Sequence, residues 1–271
     1  FLAWTTTAWT LMANVALCVN PLLDYVKVES MGYKFILAEC LLEKVLGDDV
    51  KVLEKYKGSD LVGMEYEQLM PFVKVDGNAF KVIADNYVSA TDGTGIVHNA
   101  PAFGEDDNRV CRENDIAFVN PVGADGCYNI GPWAGRLVTD SELEIDIIKW
   151  LKSNDKLFKK IKITHDYPHC WRCKSALISY PKPAWYIATT KYKDVIVNAN
   201  KDVKWYPSYV GEKRFANWLE NMNDWAISRS RYWGTPLPLW RCECGHDMMI
   251  GSRKELVDLA NRMNACTMWS N

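Results

Sequence analysis

The chain has 271 residues, 48% of them hydrophobic and 24% charged, the balance of a globular protein with room for one large domain or two modest ones. A formal net charge of -2 excludes a global field for nucleic acid, so such a partner needs a local basic patch. Nine cysteines in no disulfide-like framework fit a reducing, cytoplasmic setting, and no apolar run approaches the roughly 20 residues that span a bilayer, so no membrane partner is expected.

The chain opens inside an apolar stretch, Phe1-Leu2-Ala3, without an initiator methionine, as a piece of something longer would. Short β-type runs follow at 1–7, 14–19, 24–29 and 51–57, with turn signals at Asn20-Pro21, Asp76-Gly77 and Asp92-Gly93. Many short strands favour a barrel or a folded sheet. Residues 4–10, WTTTAWT, crowd four threonines among two tryptophans. Threonine suits a strand, so a hydroxyl-rich edge strand is the plain reading. Yet Thr5 and Thr7 share one face and Thr6 the other. Neither face is apolar, which suits a place where hydroxyls meet a polar ligand.

Residues 36–47, ILAECLLEKVLG, repeat apolar positions at helical spacing and stop at Gly47. In 93–110, GTGIVHNAPAFGEDDNRV, a strand ends at His98, Pro101 and Gly104 make a bend, and a helix starts at 105. Glu105 and Asp106 suit the first turn of a helix. Asp107 falls on the side of Val110 and Cys111, the apolar side, while Glu105 lines up with Asn108, Arg109 and Arg112. An inward carboxylate needs donors or a cation; a backbone nest or a ligand ammonium would serve. His98 alone reads as a packed histidine, but it stands a few residues from that carboxylate.

Residues 141–154 form the clearest helix, with a capping box of Ser141 and Glu144 and an apolar face of Leu143, Ile147, Trp150 and Leu151. The four lysines of 156–165 make a solvated face or touch phosphate. Cys170-x-x-Cys173 is half a zinc site, which Cys242, Cys244 and His246 could complete, although CxC is a poor knuckle spacing and plain reduced thiols are the alternative. Composition shifts at Trp205-Tyr206-Pro207. A helix is expected over 209–225, and Arg229, Arg231, Tyr232 and Trp233 suit RNA backbone and base stacking. No G-x-S-x-G, P-loop or G-x-G-x-x-G is present.

WTTTAWTLMAN, GTGIVHNAPAFGEDD, YPHCWRCKSALI and DWAISRSRYWGTPLPLW, in that order along the chain, together resemble the isoleucyl-tRNA synthetase family across its inserted editing domain and the return to the catalytic core. Valyl and leucyl relatives usually carry an arginine where Thr7 stands. The resemblance implies a mainly β, barrel-like editing domain of the valyl/isoleucyl/leucyl type with peripheral α-helices over 1–204, then a return segment over 205–271. It implies an aminoacyl-tRNA deacylase that hydrolyses valine mischarged on isoleucine tRNA. Such editing is needed because one methylene is worth only ~1–3 kcal/mol of discrimination, isoleucine against valine being the established instance.

By the same resemblance, Thr5, Thr6 and Thr7, with Thr10 and Asn14, line the pocket for the terminal adenosine and its ester. Asp107 grips the α-amino group, and His98 stands beside the side chain and helps exclude isoleucine. Thr6, His98 and Asp107 are the expected catalytic group. Editing calls for no cofactor; Cys170 and Cys173 become an orphaned half-site for structural zinc. ATP belongs to the catalytic domain of the parent synthetase, whose HIGH-type and KMSKS-type motifs this chain lacks. The family usually has proline where Ala8 stands and often where Met12 stands, so the threonine loop is expected to be less rigid. The rivals are a non-catalytic tRNA- or zinc-binding module and a valyl-type editing domain.

Overall fold

The computed structural model describes residues 1–48, 50–163, 167–229 and 236–265. The chain divides into two compact units, Phe1–Pro181 and Lys182–Asn271. The division precedes the compositional change at 205, because Tyr186 and Ile187 pair with Ala226 and Trp225 and so tie the segment before 205 to the segment after it.

In the first unit, β1 (Ala16–Val19), β2 (Asp24–Ser30) and β3 (Tyr33–Ala38) lead through a short 3-10 turn into helix α1 (Leu42–Leu46). Then follow β4 (Lys51–Lys57), α2 (Gly58–Leu61), β5 (Lys81–Ala84), β6 (Ile96–Asn99), α3 (Glu105–Glu113) and α4 (Ser141–Ser153). All four residues of β1 are buried, as a strand covered on both faces requires. It lies between parallel β5 and antiparallel β6. A second sheet has the order β3-β2-β4 and is antiparallel throughout.

Among the described residues these sheets do not close into the expected barrel. No strand of one sheet pairs with a strand of the other, and single backbone bonds bridge the gap. Leu2 N–H donates to Ile36 at 3.0 Å, Trp4 N–H to Ile96 at 2.8 Å and Ala38 N–H to Thr94 at 2.9 Å. The sheets share a core of Leu17, Val19, Tyr25, Ala38, Leu61, Val82 and Ile96. The fold is a mixture of small sheets and helices.

Three local expectations change. Residues 36–47 are not one helix: Ile36–Ala38 finish β3, and only Leu42–Leu46 is α-helical, ending at Gly47 with φ +80°. Leu37 is fully buried opposite Val26, and that sheet pairing overrides the short helical pattern. The threonines form no strand. Thr5 Oγ1 accepts the Thr7 N–H at 3.1 Å, a local turn that competes with a ladder, and residues Ala8–Ala13 then wind into a 3-10 helix. Helix α4 is capped by Asp140, whose carboxylate accepts the Glu142 N–H at 3.0 Å. Ser141 is therefore already its first helical residue.

The anticipated faces hold elsewhere. Leu143, Ile147 and Leu151 of α4 are buried with Trp150 packed beside them. Met12 is only 2% exposed in the same cluster, so the 3-10 helix is anchored in the core at a position where the family often has proline. Tyr128 Oη adds a hydrogen bond to the Trp9 carbonyl.

In the second unit, β7 (Tyr186–Ile187) precedes α5 (Lys193–Lys201). A wide i→i+5 helix, Val210–Phe215, runs into α6 (Ala216–Glu220), so the helix expected over 209–225 is shorter. β8 (Trp225–Ala226) pairs with β7, β9 (Leu239–Arg241) pairs with β10 (Asp247–Met249), and α7 (Arg253–Ala265) follows. Arg231, Tyr232 and Trp233 lie outside the described residues. Among the described residues no helix is long and apolar enough to cross a membrane.

Candidate active site

The site is assembled by backbone pairing. Trp4 bridges Val97 in parallel fashion, and the His98 N–H donates to the Trp4 carbonyl at 3.4 Å. The threonines that follow Trp4 are thereby delivered to the end of β6. On the other side, Leu17 of β1 pairs with His98, and Asn14 leads directly into β1.

His98 is 7% exposed, and both ring nitrogens are engaged. Nε2 lies 2.8 Å from Thr10 Oγ1, and Nδ1 lies 3.4 Å from Asn14 Nδ2. Thr10 Oγ1 in turn donates to the Thr7 carbonyl at 2.9 Å. Burial pushes the imidazole pKa down to about 4, so at neutral pH His98 is uncharged.

Thr7, Thr10, Asn14 and His98 thus form one connected group. Thr5 is half-buried against it, its hydroxyl donating to the Thr7 carbonyl at 3.3 Å. Thr6 is exposed, its hydroxyl 3.4 Å from that of Thr7.

Asp107 sits in the first turn of α3, on the side of buried Val110 and Cys111 as helical phase requires. Its Oδ2 accepts the Ala100 N–H at 2.8 Å. The carboxylate is therefore fixed two residues beyond His98, at the same strand end. No hydrogen bond joins Asp107 to the His98 group among the described residues. Burial pushes its pKa up to about 6, opposed by the Ala100 N–H and assisted by the charge of Asp106. Oδ1 has no hydrogen-bond partner among the described residues, so the carboxylate keeps free acceptor capacity. Asp106 instead turns outward to Arg109 at 3.4 Å. Gly104 makes room: a Cβ there would meet Asp107 Cγ at 2.9 Å.

The two buried thiols near the site stay protonated at neutral pH. Burial pushes Cys18 and Cys111 up to about 12. Tyr66 was not anticipated from sequence. Its hydroxyl donates to Asn14 Oδ1 at 2.7 Å, and it comes from an irregular stretch with no periodicity or motif to mark it.

Cys170 and Cys173 lie on a tight turn in which Lys174 adopts φ +61°. Cys173 Sγ is 3.0 Å from Ser175 Oγ, a hydrogen bond that lowers the thiol to about 7. Cys242 and Cys244 belong to the other compact unit. No group of three or more His, Cys, Asp or Glu side chains is placed for a metal among the described residues. Two thiols of a C-x-x-C turn fit half of a tetrahedral zinc site.

The family model of class I tRNA synthetases (I, L, M and V) matches residues 4–271. The isoleucine–tRNA ligase of Clostridium novyi is 49% identical over 95% of this chain, and that of Clostridium tetani 46% identical over 95%. The chain spans about a quarter of the length of these curated relatives, 25% of each. The GlLeuRS-CP1 crystal structure superposes with a TM-score of 0.49 and 15% identity, over 60% of this chain and 83% of that one. By the family model that covers it almost end to end, the chain belongs to the class I tRNA synthetases of the isoleucyl, leucyl, methionyl and valyl group.

Proposed function

We propose that this chain carries the editing step of an isoleucine–tRNA ligase, hydrolysis of the ester joining a wrongly attached valine to isoleucine tRNA. Its partners would be the aminoacylated 3′ end of that tRNA and the rest of the synthetase, in the cytoplasm. The observation that carries the proposal is Asp107: a half-buried carboxylate with one oxygen fixed by a backbone N–H and the other uncommitted, at the strand end where His98 and the threonines meet. Such an oxygen suits the ammonium of an aminoacyl ester, since a charge-assisted bond in a partly dry site is among the stronger polar contacts.

In this reading the loop of Thr5, Thr6 and Thr7 receives the terminal ribose and the ester, with Thr10 and Asn14 behind it. Hydroxyls and backbone N–H groups face the carbonyl oxygen as it gains charge. Water adds to the ester carbon, the bond to the ribose oxygen breaks, and free valine and a tRNA hydroxyl result. The ribose's own neighbouring hydroxyl orients the water. His98 is buried, neutral and engaged at both nitrogens, so it acts as a polar wall against the larger isoleucine side chain and not as a base.

The test is a matched pair of variants. Asp107→Asn keeps the shape and removes the charge, and single-turnover deacylation of valyl-tRNA is expected to fall at least about tenfold. Asp106→Asn, turned toward Arg109, should have a much smaller effect. If Asp107→Asn hydrolyses as fast as the parent, or Asp106→Asn is the more damaging change, Asp107 is only a helix-end brace and the proposal fails.

A further inference from the structure

The amide of Asn14 is held at both ends. Its Oδ1 accepts the Tyr66 hydroxyl at 2.7 Å, and its Nδ2 donates to the Ala16 carbonyl at 3.0 Å while facing His98 Nδ1 at 3.4 Å. An amide nitrogen only donates, so the ring nitrogen it faces must accept. A neutral imidazole that accepts at Nδ1 carries its proton on Nε2. That proton then points at Thr10 Oγ1, 2.8 Å away, whose own proton goes to the Thr7 carbonyl at 2.9 Å. The donors run in one direction from Tyr66 to the threonine loop.

The start of this chain is itself built in. Tyr66 N–H donates to the Phe80 carbonyl at 2.9 Å, and the two rings meet edge to face at 6.0 Å. Phe80 holds φ +58°, a conformation a bulky residue keeps only when its surroundings require it. Its N–H reaches the Val15 carbonyl at 2.6 Å, next to Asn14. Burial raises the phenol far above its ordinary value, so the hydroxyl remains a donor.

We propose that Tyr66 is a positioning residue of the editing pocket: by occupying Asn14 Oδ1 it turns the amide nitrogen to His98 Nδ1 and fixes the imidazole as the Nε2–H tautomer. The assignment of the pocket to editing rests on the function proposed above; the tautomer does not. With the hydroxyl gone, only the Ala16 carbonyl orients the amide. A flipped amide would then accept from Nδ1–H, and Thr10 would turn its proton from Thr7 toward Nε2.

Long-range proton–nitrogen correlation on the chain labelled with nitrogen-15 histidine reads the tautomer directly, with His98→Gln assigning the signal. The parent should show His98 as Nε2–H alone. Tyr66→Phe should show both tautomers or the Nδ1–H form, and its preference for valyl- over isoleucyl-tRNA should drop about three- to tenfold. Tyr87→Phe, which removes a half-buried hydroxyl that accepts from Asn99 Nδ2, is the control and should leave the tautomer unchanged. Should Tyr66→Phe fail to fold, Asn14→Leu takes its place in the tautomer measurement. A parent in the Nδ1–H form, or a variant that keeps pure Nε2–H, overturns the role of Tyr66. A tautomer change with no hydrolysis of any ester keeps that role and overturns the editing reading instead.

Discussion

Asp107 and His98 titrate in opposite senses over nearly the same interval. The folded carboxylate is raised from 3.8 to about 6, so the folded state binds more protons than the unfolded one between those values. Its contribution is fully favourable below 3.8 and is lost as pH rises through 6. The folded imidazole is lowered from 6.5 to about 4. Its contribution is intact above 6.5 and is lost as pH falls toward 4. Each is worth up to roughly 3 kcal/mol, so between pH 4 and 6.5 they largely cancel in the parent. Thermal unfolding of Asp107→Asn across that window should show stability rising with pH, and of His98→Gln stability falling with pH. Parallel curves for both variants would contradict the assigned environments. Above pH 6, Asp107→Asn should also be more stable than the parent while hydrolysing more slowly. The inward aim of Asp107 was legible from helical phase, because Val110 and Cys111 fix the buried side of α3. Its partner at Ala100 and the whole role of Tyr66 were not, since both depend on which distant backbone segments pair.

At the level of elements, the helices carry two separable tests. Asp140→Ala should destabilise the chain by about 1 kcal/mol and Ser141→Ala by much less, because the observed cap is the aspartate. The reverse order in chemical denaturation would restore the serine capping box. Helix α3 depends on Gly104 for space rather than for backbone conformation. Gly104→Ala places a methyl 2.9 Å from Asp107 Cγ and should displace the carboxylate, lowering deacylation several-fold while unfolding changes little. The amphipathic α4 was readable because thirteen residues repeat one face. Residues 36–47 misled because three apolar residues in a row fit a buried strand as well as a helix. The cysteine turn at 170–173 has half of a zinc ligand set, so elemental analysis of the purified chain should find substoichiometric zinc; one tightly held zinc per chain would point to Cys242 and Cys244 as completing ligands.

For the whole molecule, family membership was legible because four motifs recur in order, whereas closure of the sheets was not. Strand content is visible in local pattern, but barrel closure requires edge strands of separate sheets to pair. Here the edges β5 and β6 of one sheet form no strand pair with the edges β3 and β4 of the other among the described residues. The chain lacks both ATP-handling motifs, so isoleucine-dependent pyrophosphate exchange should stay at background. As proposed, this chain hydrolyses a mischarged ester and spares the correct one. Single-turnover deacylation of valyl- and isoleucyl-tRNA for isoleucine, with threonyl-tRNA for valine alongside, tests it most directly in the parent and in His98→Ala. Rapid loss of the valyl ester and survival of the isoleucyl ester are expected with the parent, and hydrolysis of both with His98→Ala. No hydrolysis of any ester, preference for the threonyl ester, or an isoleucyl ester still spared by His98→Ala while the valyl ester is cleaved would contradict it.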